Sequence, residues 1–121
     1  MITDELKVLV KGEAEKLKKY ATPEELAKLN FIKLFFLHGT RCIYGQITGS
    51  CFSERAVELL KKCAEPYSRS LKKYTETNIK SFIQGQFRTV FSPIEFYIAQ
   101  EGAKSKALID FLKGKSKTLN L

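Results

Sequence analysis

The chain has 121 residues, 44% of them hydrophobic and 28% charged, a composition that suits one hydrophobic core and excludes both a second domain and a disordered chain. Lys and Arg number 21 against 13 Asp and Glu, a net charge of +8 that directs attention to acidic partners. No apolar run approaches the roughly 20 residues that cross a bilayer, and the opening "MITDELKVLVKGE" lacks the basic head and long apolar run of a signal peptide.

Three cysteines leave at least one unpaired, which fits a reducing compartment and predicts a soluble cytoplasmic protein. The charge is uneven along the chain. Residues 1–37 carry seven basic and six acidic side chains, residues 38–68 four and three, and residues 69–121 ten and four. Three-quarters of the excess therefore lies in the last 53 residues.

Thr3 is placed to cap a first helix, with Asp4 and Glu5 in the first turn, where negative charge suits the helix dipole. Leu6, Leu9, Val10, Ala14, Leu17 and Ala21 recur at helical spacing and define its apolar face. "TPEE" (Thr22 to Glu25) then combines a capping hydroxyl, a proline at the first helical position and a glutamate three residues on, the signature of a capping box. The helix it opens is expected to reach about His38. From Phe31 to Leu37 only Lys33 is polar, so this helix is expected at the centre of the fold.

Ser53 caps a third helix, Glu54 to about Ala64, with Ala56, Leu60, Cys63 and Ala64 on one face, Glu58 and Lys62 paired at i,i+4, and Pro66 ending it. A fourth helix is expected from about Arg69 to Gln84, where Leu71, Tyr74, Phe82 and Ile83 keep the spacing and Gly85 stops it. "SPIE" (Ser92 to Glu95) is a second capping box. The apolar phase of Ile94, Ile98, Leu108 and Leu112 runs across Gly102, so one kinked helix and two short ones fit equally. The fold class is all-α, a single-domain bundle of five or six helices over residues 1–121. A short extended segment near 41–49 or 86–91 and a mobile tail at 114–121 complete the expectation.

"HGTRCIYGQITGSC" (His38 to Cys51) concentrates rare residues and invites several chemical readings. His38, Cys42, Cys51 and Cys63 are a legitimate zinc complement by type, but no two cysteines form the close pair that zinc knuckles use. His38 and Cys42 stand at i,i+4, yet no acid lies nearby in sequence to orient such a nucleophile–base pair. Gly39 and Gly45 are one residue too far apart for a phosphate loop, and Gln46 replaces the lysine that motif needs. The carboxylates all fit helix starts or solvated faces, so neither metal, cofactor nor enzymatic activity is expected. The stretch reads as a connection, in which Arg41, Tyr44 and Gln46 are the residues a plain connector does not require and hence the candidates for a functional loop.

The basic C-terminal half carries the clearest functional signal. Lys72, Lys73, Lys80, Arg88, Lys104, Lys106, Lys113, Lys115 and Lys117 can contact phosphates, a mode of binding that weakens with salt. Phe82, Phe87, Phe91, Phe96 and Tyr97 are interleaved with them, although helical spacing assigns these rings to the core before it assigns them to base stacking. No zinc-finger or RNA-recognition signature is present. The expectation is a small basic protein that binds nucleic acid without strong sequence preference. The alternative is a non-enzymatic interaction module (an adaptor, an inhibitor or an assembly subunit) that meets an acidic protein. Neither reading involves a membrane, and the sequence fixes no oligomeric state.

Overall fold

A computed structural model describes residues 4–34, 42–50, 53–64 and 92–121. The predicted fourth helix and the 86–91 segment lie outside these residues. The described part is all-α: α1 (Asp4–Tyr20), α2 (Pro23–Ala27), α3 (Ile43–Thr48), α4 (Glu54–Cys63), α5 (Pro93–Glu101) and α6 (Lys106–Leu112), with 3-10 turns at Phe31–Lys33 and Gly102–Ser105.

The long helix α1 is the element around which α4, α5 and α6 pack. Its buried stripe is Leu6, Val10, Glu13, Ala14 and Leu17, spaced by one, three or four residues, as a 3.6-residue period requires. Facing it are Leu59, Leu60 and Cys63 of α4, Ile94 and Ile98 of α5, and Leu108, Ile109 and Leu112 of α6. Ile43 and Ile47 of α3 join the same apolar cluster.

Both predicted capping boxes form. In the first, the Glu25 amide donates to Thr22 Oγ1 at 3.1 Å and the Thr22 amide donates to Glu25 Oε1 at 2.9 Å. In the second, Ser92 and Glu95 exchange the equivalent pair at 3.3 Å each. Ser53 caps α4, accepting from the Ala56 amide at 3.1 Å.

The helix opened at Pro23 departs from expectation. It stops at Ala27 rather than near His38, and Asn30 is extended at φ −130°, ψ 108°. The physical reason is local competition. Asn30 Oδ1 accepts from the Ile32 amide at 3.1 Å, starting a 3-10 turn, and asparagine side chains characteristically offer the backbone this alternative to helix. Gln46 then holds the Asn30 backbone from across the fold, accepting from its amide at 2.7 Å and donating to its carbonyl at 3.1 Å. Ile32 is 92% exposed rather than central, while Phe31 and Leu34 pack partly against the core.

Within the 41–49 stretch, residues 43–48 are also not extended and form α3. Its β-branched Ile43, Ile47 and Thr48 favour strand on propensity, but Ile43, Tyr44 and Ile47 bury the apolar face of a single helical turn, and packing overrides propensity. Cys42 serves as its N-cap, Sγ accepting from the Gly45 amide at 3.3 Å.

Near the C-terminus, Gly102 resolves the choice between one helix and two. Its φ of +56° ends α5, and a 3-10 turn leads into α6. Gly114, at φ +80°, closes α6 in a Schellman arrangement, with the Lys115 amide donating to the Asp110 carbonyl at 2.8 Å and the Gly114 amide to the Phe111 carbonyl at 3.1 Å. Beyond it, Leu119 and Leu121 are partly buried against the core, so the segment expected to be a tail is laid on the domain.

Candidate nucleic-acid interface

The described basic residues of the C-terminal half follow the Gly102 turn. Lys104 lies on the 3-10 turn, Lys106 opens α6, Lys113 caps it, and Lys115 and Lys117 sit in the segment beyond. Lys113 is half-buried and the other four are exposed. Over residues 102–121 these five lysines face one acid, Asp110, which pairs with Lys106 at 3.5 Å. Lys18 of α1 lies 4.3 Å from the centre of the Phe111 ring, which brings another cation towards α6.

The aromatic residues divide as helical spacing suggests. Tyr97 and Phe111 are buried and Phe96 is packed partly against the core. Lys72, Lys73, Lys80, Arg88, Phe82, Phe87 and Phe91 lie outside the described residues, as do Arg41, His38 and Cys51. The convergence of the proposed Cys₃His set is therefore outside the described part. Cys42 and Cys63 are buried, and burial foremost pushes the Cys63 thiol up to about 12.

Two of the three loop candidates have internal roles. Gln46 makes the reciprocal pair with Asn30. Tyr44 is 3% exposed and donates its hydroxyl to Glu13 Oε2 at 2.5 Å.

That contact leads to the feature that sequence reasoning missed. Glu13 and Glu95, both assigned to helix starts or wet faces, are buried at 1% and 7% exposure. Glu13 Oε1 accepts from the Ile94 amide at 2.9 Å. Burial raises Glu13 from about 4.5 to about 7, against the opposing pull of Tyr44, Ile94, Ser92 and Lys16. Burial likewise drives Glu95 well above the usual carboxylate range, reinforced by Cys42 and Glu13. Tyr44 is raised by burial and then by Glu13. The signal for Glu13 was present in the sequence: it sits three residues after Val10 and four before Leu17, inside the apolar stripe. Glu95 gave none, because its place in the capping box accounts for a glutamate without any need for burial.

Comparison with protein-family models, with curated proteins and with solved structures returns no match for this chain. Fold and surface together define a small basic all-α protein whose described C-terminal segment is lysine-rich. No described helix is long and apolar enough to cross a membrane.

Proposed function

We propose that the protein binds nucleic acid, without strong sequence preference and without catalysing a reaction, through its basic C-terminal half. The observation that carries this reading is the run of Lys104, Lys106, Lys113, Lys115 and Lys117 after the Gly102 turn. Phosphate contacts of this kind need positive charge at sites held in place more than they need a shaped pocket. The Schellman turn at Gly114 and the partly buried Leu119 and Leu121 support it, because they fix both ends of the segment that bears Lys115 and Lys117.

Binding to DNA or RNA should be on the order of micromolar or tighter at low salt and should weaken steeply as salt rises. Replacing Lys113, Lys115 and Lys117 together by alanine should flatten the log–log salt slope by about two to three units, at roughly 0.7–0.9 per lost phosphate contact. Absence of binding to either polymer at low salt would overturn the proposal.

The second reading, an interaction module for an acidic protein, draws on a separate observation. Ile32 projects at 92% exposure beside Lys33, the apolar-plus-basic pairing that suits a protein surface better than a phosphate backbone. A defined partner that stays bound after nuclease treatment, and is lost in Ile32→Ser, would favour this reading.

A further inference from the structure

Two buried carboxyl groups, Glu13 and Glu95, lie in the core where α1, α3 and the start of α5 converge. Glu13 takes a hydroxyl from Tyr44 and an amide from Ile94, while Glu95 takes the Ser92 amide. The adjacent Ser92 and Ile94 join the two, Ser92 exchanging hydrogen bonds with Glu95 while the Ile94 amide donates to Glu13. At 1% exposure Glu13 has almost no water to stabilise a charge.

Among the described residues, the charged and titratable groups around the pair are few. Lys16 lies on α1 itself, Tyr44 on α3 with Cys42 at its cap, Cys63 on α4, and Ser92 and Glu95 at the start of α5. The buried residues of α6 are Leu108, Ile109, Phe111 and Leu112. Only Lys16 among these carries positive charge, and among the described residues no lysine or arginine is buried. Two ionised carboxylates in such a place repel each other with no buried counter-charge among the described residues, which favours a proton on one of them.

We propose that this junction is a buried proton-binding joint: Glu13 and Glu95 hold at least one proton between them at neutral pH, and its release charges the seam between α1 and α5. Glu13, with the Tyr44 hydroxyl and the Ile94 amide as donors, is the partner that carries the negative charge first. Glu95, with one amide donor and the charge of Glu13 opposing it, is the partner that keeps its proton. The raised affinity of both groups for a proton agrees with this order. The sign of the consequence is unusual for a carboxyl group. A group raised above its unfolded value stabilises the folded protein at low pH, and that contribution is lost as pH climbs from about 4.5 to about 7. The inference is independent of what the lysines bind.

Infrared spectroscopy of the folded protein at about pH 7.5, where exposed carboxyl groups are ionised, should show a protonated-carboxyl stretch that vanishes on unfolding and in Glu95→Gln. In chemical denaturation the wild-type midpoint should fall between about pH 5 and about pH 8, whereas that of Glu13→Gln should fall less steeply over the same range, because only Glu95 still holds a proton that the unfolded chain releases. His38 is present in both proteins and cancels in the comparison. Tyr44→Phe, which removes one donor, should move the falling limb to higher pH. A wild-type spectrum without a protonated-carboxyl stretch overturns the proposal even if no variant folds. So does a Glu13→Gln protein with the wild-type pH slope.

Discussion

Arg55 does at the surface what Glu13 does inside, tying three elements through one side chain. Its guanidinium forks onto Glu25, with Nε to Oε2 at 3.0 Å and Nη2 to Oε1 at 2.8 Å. It also donates to the Tyr20 carbonyl at 2.9 Å and to Glu58 Oε1 at 2.9 Å. The end of α1, the start of α2 and the start of α4 are thereby fixed in one corner. A lysine could not reproduce the planar fork. The fork holds Glu25 down at about 2, first through its hydrogen bond from Arg55. Because Arg55 is 34% exposed, solvent screening leaves the corner worth less than that shift suggests. Arg55→Ala should therefore cost about 1 kcal/mol at neutral pH, measured by chemical denaturation. A carboxyl group held low contributes above its unfolded value, so the cost of Arg55→Ala should shrink as pH falls from about 4.5 towards about 2. Arg55 and Glu25 are 30 residues apart and each reads as an ordinary surface charge, which is why no spacing rule exposes their pairing. Glu13, in contrast, was legible to anyone who asked which residues share a face with Val10 and Leu17.

At the scale of the element, caps were legible and lengths were not. "TPEE" and "SPIE" each encode a start through four adjacent residues, and both starts appear where the residues put them. The end of α2 comes from Asn30 turning its side chain onto the Ile32 amide and is held by Gln46, a contact over 16 residues that no local pattern contains. The short α3 was hidden for a related reason, since a helix of six residues has too few turns to display a period. The break at Gly102 was visible as an ambiguity, and backbone conformation decides it. At φ +56° and ψ −126°, this residue occupies a region that side chains with a Cβ rarely adopt. Nothing lies within 4 Å of the position a Cβ would take, so the cost of a larger residue is conformational and not steric. Gly102→Ala should lower stability by about 1–3 kcal/mol, read as a lower denaturation midpoint with unchanged m-value. A variant as stable as the parent would show that the turn is not held at this geometry in solution.

The molecule as a whole separates its two resources. Apolar side chains gather around α1, from Leu6 to Leu17, while the excess of positive charge lies late in the chain, where exposed lysines follow α5. The only cation of α1 set over an aromatic ring of α6 is Lys18 among the described residues, so the two regions touch at Phe111. Fold class was readable from composition and periodicity because each described α-helix buries one face. The partner was not readable, because a lysine that meets a phosphate and a lysine that meets water have the same neighbours in sequence.

Cys42 and Cys63 sit at opposite ends of two helices, one accepting at the start of α3 and the other closing α4, and both are shut away from solvent. A thiol in that position is a clock. A reagent can reach it only while its helix is open, so the rate of modification counts openings that no static view records. With excess reagent at mildly alkaline pH, mass spectrometry of the digested protein should find both sites modified far more slowly than in the unfolded chain. Different rates for the two would mean that α3 and α4 open separately, and equal rates that they come apart as one body.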